Sequence, residues 1–180
     1  MSTKKKVLGI LGSTKVQSSN ERLLRRIGEL MKDSVDLTIF NQIANLPHFS
    51  PDLDNHESVI PVVADFRQQI AEADGVLICT PEYVFSIPGS LKNALEWTVS
   101  TTVFADKPLG IITASASGEK GHEQLQLIIR TLGADFNEDT LLLISGIKGK
   151  IDTNGEIIDE ETMRRMKQFS AAFLEQISSK

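Results

Sequence analysis

Cysteine and histidine are both scarce in this 180-residue chain, and their scarcity argues against several kinds of site. Cysteine occurs once, so the chain has neither an internal disulfide framework nor a multi-cysteine metal centre. The three histidines, His48, His56 and His122, have no spacing that would place two metal ligands on one helix face. We therefore expect no metal site, and a zinc site in particular is disfavoured.

The sequence also lacks a long apolar run and an excess of basic residues. No stretch approaches the length of a membrane span, and the N-terminal apolar segment is too short for a secretory signal. The net charge is −5, which gives no electrostatic footprint for nucleic acid or an anionic membrane. These absences predict a cytoplasmic protein whose partners are neither nucleic acids nor membranes.

Three signature motifs are missing as well. The chain contains neither a Walker A motif nor G-x-G-x-x-G, which disfavours P-loop nucleotide chemistry and a Rossmann dinucleotide site. It also contains no G-x-S-x-G nucleophile elbow, which disfavours a hydrolase with a Ser–His–Asp triad.

What the chain does contain is five short segments rich in β-branched residues and leucine. They lie at residues 7–11, 35–40, 75–79, 109–113 and 140–145. Most are continuously apolar, which is typical of strands buried on both faces of a parallel sheet. The second segment alternates more and is expected at an edge.

Apolar stripes with helical spacing fill the intervals between these segments, and Pro88 is a suitable first residue for the third helix. This alternation predicts a doubly wound α/β sandwich with helices on both faces of the sheet. For five strands the natural order is the flavodoxin-like 2-1-3-4-5, and we expect one domain over residues 1–180. The stripes are Leu23, Leu24, Ile27, Leu30 and Met31; Val59, Val62, Val63, Phe66 and Ile70; Leu91, Ala94 and Leu95; Leu125, Ile128, Ile129 and Leu132; and Met163, Met166, Phe169, Phe173 and Ile177.

An irregular stretch at residues 41–57 is long for a connection in a compact domain. One interpretation is a surface loop packed by Leu46, Phe49 and Leu53. The other is that the stretch belongs to a site or a subunit contact.

In sheets of this order, ligands bind beyond the carboxyl ends of strands 1 and 3. The loop after strand 1 reads GSTKVQSSNE at residues 12–21, and its Ser18-x-x-Glu21 is a capping-box pattern. Its donors exceed what a cap requires, and a helix N-terminus with hydroxyls and a lysine can cradle a phosphate. Both interpretations remain open for this loop.

The stretch after strand 3, TPEYVFSIPGSLKNALEW at residues 80–97, uses bulky side chains where a turn needs none. Tyr83, Phe85 and Trp97 could simply bury their rings against neighbouring helices. Alternatively, the loop forms a wall for a planar ligand, with backbone groups that set its orientation. After strand 4, the small residues of ASASGEKGH at 114–122 would let a ligand approach the backbone. Together the three loops suit a ring system that carries a phosphate, and FMN fits better than a free nucleotide.

These residues resemble a known family. GSTKVQSSN followed by PEYVFSIPGSLKNALEW is similar to the NADPH-dependent FMN reductase family, which includes quinone, azo-dye and chromate reductases, and the resemblance covers essentially the whole chain. It implies that Ser13, Lys15, Ser18 and Asn20 surround the flavin phosphate. It also implies a flavin-ring loop and a serine near the flavin; the residues concerned are Pro81, Glu82, Tyr83, Val84, Ser115 and the neighbouring Ser117.

The chain departs from the family pattern at two of these positions. Position 15 is usually arginine, and Lys15 cannot make a planar bidentate contact. Position 84 is often asparagine, and Val84 has no amide to offer the flavin. Within the site, Glu82 is interpreted as a structural or interface charge and Cys79 as buried packing.

The resemblance implies an enzyme without a protein nucleophile, in which bound FMN passes two electrons from NADPH or NADH to a small-molecule acceptor. The acceptor would be a quinone, an azo compound, free flavin or a similar molecule. A homodimer or homotetramer is expected by the same resemblance. Two alternatives are a flavodoxin-like electron-transfer protein without its own substrate turnover and a flavin-free regulatory domain on the same scaffold.

Overall fold

A computed structural model describes residues 3–54, 59–152 and 156–180 of the chain. Five parallel strands form one sheet in the order β2-β1-β3-β4-β5, which confirms the predicted topology. The strands are β1 (Lys5–Leu11), β2 (Val35–Phe40), β3 (Gly75–Thr80), β4 (Leu109–Ser115) and β5 (Leu141–Ser145). The helices are α1 (Ser19–Leu30), α2 (Pro61–Glu72), α3 (Gly89–Glu96), α4 (Glu119–Thr131) and α5 (Glu160–Ser178).

The sheet carries an apolar core on each face, because successive side chains of a strand point to opposite sides. Leu8 and Ile10 of β1 belong to the core beneath α2, α3 and α4, whereas Val7 and Leu11 belong to the core beneath α1 and α5. β3 is buried throughout, while β2 is partly exposed at the edge of the sheet, as its alternating sequence predicts.

Several predicted boundaries require correction. β1 begins at Lys5, and β4 continues to Ser115. α3 begins at Gly89, because Pro88 has extended backbone angles and occupies the cap position. Val59, which we placed in a helical stripe, lies outside α2 and is 75% exposed. Strand ends shift because backbone pairing with a neighbouring strand can continue past the apolar segment.

The irregular stretch is pinned to α3. The Asn93 side chain accepts a hydrogen bond from Phe49 N at 2.8 Å and donates to Pro47 O at 2.9 Å. Trp97 donates to Pro47 O, and its ring meets the Phe49 ring edge-on. Packing by Leu46 and Phe49 is therefore confirmed, whereas packing by Leu53 is wrong because its side chain is exposed. Residues 55–57 of this stretch, including His56, lie outside the described residues.

Among the described residues, none of the helices is both long and apolar enough to cross a bilayer.

Candidate functional site

The carboxyl ends of the parallel strands surround a cleft of about 640 Å³. It lies between the N-terminus of α1 and the loops that follow β3, β4 and β5. All three loops that the sequence analysis placed together contribute to it. Its lining residues are Ser13, Lys15, Ser18, Ser19, Asn20, Pro81, Tyr83, Ala114, Ser115, Ala116, Gly146, Ile147, Lys148 and Gly149.

The start of α1 forms only half of the predicted capping box. Ser18 Oγ accepts a hydrogen bond from Glu21 N at 3.1 Å, as a cap should. The Glu21 carboxylate instead accepts from Gln17 N, one residue earlier than a capping box requires. The N–H groups of Ser19 and Asn20 have no partner among the described residues, so they can donate to a ligand at the positive end of the helix dipole.

Two further residues of this loop face the cleft differently. The Ser13 side chain is buried, and its oxygen accepts a hydrogen bond from Lys15 N at 3.2 Å. The Lys15 side chain is exposed at the rim of the cleft. The Ser13 hydroxyl thus shapes the loop, while the Lys15 ammonium is free to reach a ligand.

Asn20 links the loop to the sheet. Its buried side-chain amide donates to Ala114 O at 3.1 Å and accepts from the Cys79 thiol at 3.4 Å. Cys79 is fully buried in the core, which confirms its packing role, and burial raises the pKa of its thiol far above the ordinary value. The Asn20 side chain therefore positions the N-terminus of α1 against β3 and β4.

The turn after β3 exposes its bulky side chains. Tyr83 and Ser86 form a two-residue hairpin, with Val84 and Phe85 at its tip. Tyr83, Val84 and Phe85 are 52%, 95% and 72% exposed, whereas Trp97 is buried. The expectation that these rings bury against neighbouring helices is therefore wrong for Tyr83 and Phe85 and confirmed for Trp97.

The tip of this hairpin is conformationally costly. Val84 and Phe85 have φ values of 51° and 56°, the left-handed region that glycine and asparagine tolerate best. A β-branched residue there carries strain on the order of 1–2 kcal/mol. Such strain at the mouth of a cleft is a common feature of functional sites.

Glu82 joins the β3 turn to α4. Its carboxylate accepts a hydrogen bond from Gly121 N at 2.8 Å, in the first turn of α4. The residue at the cap position, Gly118, has no side chain to perform this role. Ser115 Oγ donates to Glu82 O at 3.3 Å and ties the β4 loop to the same point. The structure therefore supports Glu82 as a structural charge.

The predicted ring-contacting residues divide into two groups. Pro81, Tyr83 and Ser115 line the cleft, but Glu82 and Val84 do not. Ser117 does not line it either; its carbonyl accepts a hydrogen bond from Ser145 Oγ at 2.8 Å.

His122, in the first turns of α4, contacts β4 close to its carboxyl end. Its buried imidazole Nδ1 lies 2.8 Å from the hydroxyl of Thr113, a fully buried residue of β4. Burial lowers the pKa of His122 from its ordinary value of 6.5, and the positive charge of Arg165 lowers it further, against a smaller raising effect of Glu123.

One wall of the cleft was missed by the sequence analysis. The turn at Ile147–Gly149 follows β5 and brings Lys148 to the cleft. A signal was present, because Gly146 and Gly149 flank a lysine immediately after the fifth strand. All parallel strands end at the same edge, so this loop belongs with the other three.

The lining chemistry fits a phosphate-bearing flavin. The charged residues that line the cleft, within the described chain, are Lys15 and Lys148, and no carboxylate accompanies them. Lys15 and the free N–H groups at the start of α1 suit an anion, while Pro81 and Tyr83 supply apolar surface for a ring. Over residues 3–54, 59–152 and 156–180, no group of three or more His, Cys, Asp or Glu residues could hold a metal ion.

Comparisons with known proteins agree with this chemistry. The NADPH-dependent FMN reductase family matches residues 5–142. An NADPH:quinone oxidoreductase from Arabidopsis thaliana is 38% identical over 173 residues, covering 91% of this chain and 87% of that protein. A quinone reductase from Escherichia coli (strain K12) is 32% identical over 179 residues, covering 96% and 95%. The solved flavoenzyme NAD(P)H:(acceptor) oxidoreductase FerB from Paracoccus denitrificans shares the fold with a TM-score of 0.79 at 24% identity, covering 97% of this chain and 98% of that one.

Proposed function

The chain belongs to the NADPH-dependent FMN reductase family and is an FMN-dependent NAD(P)H oxidoreductase, and we propose that the cleft at the carboxyl edge of its sheet holds the flavin. Bound FMN would supply two-electron chemistry between a nicotinamide nucleotide and a small acceptor such as a quinone, an azo compound or free flavin. The observation that carries this assignment is the joining of a helix N-terminus, two lysines and an exposed aromatic in one cleft. The relatives named as reductases favour it over a flavodoxin-like electron carrier.

The phosphate end of the proposed site is the loop after β1. The Lys15 ammonium and the N–H groups of Ser19 and Asn20 would bind phosphate oxygens, while Ser18 caps the helix that presents them. The Asn20 amide already bonds Ala114 O and Cys79, so its part is to hold the helix in place. Ser13 acts in the same way, by bonding Lys15 N and fixing the direction of the loop.

The ring end of the proposed site is formed by the β3 turn and the β4 loop. Pro81 and Tyr83 would pack against the flavin ring, and Ser115 would lie at its edge. Glu82 and Val84 do not line the cleft, so they would contribute through the backbone of the turn that presents Pro81 and Tyr83. Ser117 would contribute only by supporting the loop that carries Ser115.

We propose that residues 1–180 form one FMN-binding domain and that the protein works in the cytoplasm as a homodimer or homotetramer. The exposed apolar side chains of Tyr83, Val84 and Phe85 beside the cleft support an assembly, since a neighbouring subunit would cover them. Sedimentation equilibrium of the purified protein with and without FMN tests this, and a monomer in both states contradicts it.

The decisive experiment on function is an absorption spectrum of the purified protein after incubation with FMN and desalting. We expect a retained flavin spectrum that bleaches on anaerobic addition of NADPH or NADH and returns when a quinone is added. The nucleotide that bleaches the flavin faster identifies the donor. Retention without bleaching would favour an electron carrier, and a protein that retains no flavin would contradict the proposed site.

A further inference from the structure

We propose that Lys148, on the turn after β5, is a second cation for the phosphate of FMN and acts from a different loop of the cleft than Lys15. This inference rests on the proposed function. It assigns a binding role to a loop that the sequence motifs of the site do not include.

The turn that carries Lys148 is firmly anchored. Gly146 N donates to Ala116 O at 3.0 Å, and Ser145 Oγ bonds Ser117 O, so the turn is tied to the β4 loop. The side chain of Ile147 is buried in the core. Lys148 itself is exposed, and within the described chain its ammonium has no carboxylate partner. An anchored turn thus presents an unpaired cation to the cleft.

The turn and the start of α1 lie close enough to act on one group. Asn20 bonds Ala114 O at 3.1 Å in β4, and Gly146 N bonds Ala116 O at 3.0 Å just past its end, so the two attachment points are two residues apart in the chain. Two extended residues span roughly 7 Å. A lysine side chain extends roughly 6 Å from its Cα atom. Lys15 and Lys148 both line this cleft, so both ammonium groups can approach one ligand bound there.

The charge of the ligand calls for a second cation. A phosphate monoester carries about −1.5 to −2 charges at neutral pH. The N-terminus of α1 contributes about half a positive charge and Lys15 one more, which leaves the phosphate incompletely neutralised. Lys148 makes up this difference, and no acidic residue among those lining the cleft opposes it. The nearby Glu21 is paired with Arg25 at 2.9 Å.

Two lysines also overcome the limited contact geometry of a single ammonium. A single ammonium is a point charge and cannot grip two phosphate oxygens in one plane as a guanidinium can. Ammonium groups that approach from two walls of the cleft can contact different oxygens. The site would thus recover the charge and the number of contacts that Lys15 alone does not supply.

The test compares Lys148→Met with Lys150→Met. Lys150 lies two residues further along the chain and does not line the cleft, so its substitution removes the same charge without touching the site. Dissociation constants for FMN and for riboflavin are measured by flavin fluorescence on each purified variant. We expect Lys148→Met to weaken FMN roughly tenfold, as for one charged hydrogen bond, and to leave riboflavin unchanged. Lys150→Met should change neither constant by more than about twofold, and Lys148→Arg should retain tight FMN binding.

Other outcomes would overturn the inference. An unchanged FMN constant for Lys148→Met, or equal losses for FMN and riboflavin, would remove Lys148 from the phosphate site. If FMN binding is intact and the KM rises for NADPH alone, Lys148 contacts the 2′-phosphate of the donor instead. If FMN binding is intact and the KM rises for both NADPH and NADH, Lys148 contacts the donor's pyrophosphate. If the unmodified protein binds neither flavin, the proposed function fails as well, whereas tight binding that ignores the substitution defeats this inference alone.

Discussion

The loop after β1 and the hairpin after β3 line the same cleft, but they differ in how far their side chains are buried and hydrogen-bonded. In the first loop, polar side chains are buried or engaged: Ser18 caps α1, and Asn20 bonds β4. In the second, the side chains at the tip are exposed, and Val84 and Phe85 adopt left-handed backbone angles. The first loop is arranged by its side chains, which leave Lys15 and helix N–H groups free. Gln17 in the first loop also has a left-handed φ of 53°, but the second loop has two such residues in succession, one of them β-branched, and therefore carries more local strain.

This difference teaches that side-chain changes should act differently in the two loops. Substitutions in the loop after β1 should alter packing or anion binding directly. Substitutions at the tip of the hairpin should alter stability through backbone strain. The predictions below test this contrast.

The largest effect is expected where the two loops meet. A Cβ atom on Gly12 would overlap Thr80 Oγ1 and lie 2.6 Å from Thr80 Cβ, at the buried end of β3. Gly12→Ala should lower the free energy of unfolding by about 3 kcal/mol, as overpacking of a buried site does. Gly149→Ala is the matched control, because among the described residues no atom beyond its chain neighbours lies within 4 Å of the added Cβ. Urea denaturation of both variants measures the difference, and equal midpoints would refute the close approach.

The next effect concerns anion binding by the loop after β1. Lys15→Ala should weaken FMN binding by about 1.5–3 kcal/mol if the ammonium contacts the phosphate. Riboflavin lacks the phosphate, so its affinity should hardly change. Fluorescence titration with the two flavins measures both constants, and equal losses would contradict the phosphate role.

The third effect concerns the bond that holds the hairpin to α4. Glu82→Ala removes the acceptor for Gly121 N and should lower the free energy of unfolding by about 1 kcal/mol, as the loss of a helix cap does. Glu82→Gln keeps an acceptor oxygen and should lose less. Thermal denaturation compares the two variants. If Gln and Ala destabilised the protein equally, the charge rather than the cap would explain the effect.

The fourth effect has the opposite sign, because it relieves strain. Val84→Asn places a residue that tolerates left-handed angles at the tip and should raise the free energy of unfolding by about 1 kcal/mol. Val99→Asn makes the same chemical change at another exposed position outside the left-handed region. Denaturant unfolding of both tests this, and a gain shared by Val99→Asn would show that strain is not its source.

The smallest effect is a pH dependence. The pKa of His122 is lowered in the folded protein. Below about pH 6.5 its imidazole is therefore more fully protonated in the unfolded chain than in the native one. The free energy of unfolding should therefore fall as pH falls through this region, and His122→Gln should reduce that fall. His48→Gln, at an exposed position, serves as the control. Melting curves between pH 5 and 8 measure it; an unaltered pH profile in His122→Gln would contradict the prediction.

The local sequence alone was enough to predict the sheet and the edge of the sheet that carries the cleft. Short, continuously apolar segments indicated buried strands, and helical stripes between them required right-handed crossovers, which leave few possible orders. The prediction that the loops at residues 12–21, 80–97 and 114–122 meet at one cleft followed from that order, and part of each lines it. The family motifs identified the same loops.

Other features depended on contacts between residues distant in sequence, which a linear pattern does not contain. The sequence could not show that Asn20 bonds Ala114 and Cys79, that Glu82 caps α4 through Gly121, or that Tyr83 and Phe85 remain exposed while Trp97 is buried. For Lys148 the sequence held a signal in the flanking glycines, but it did not show the contact that fixes the turn. Its place at the cleft depends on the bond between Gly146 and Ala116, which forms only when β4 and β5 pair. The periodicity of apolar residues determined which segments become strands and helices and, with the crossover rule, the order of the strands in the sheet. Tertiary packing decided which polar groups are hydrogen-bonded within the protein and which remain free to bind a ligand.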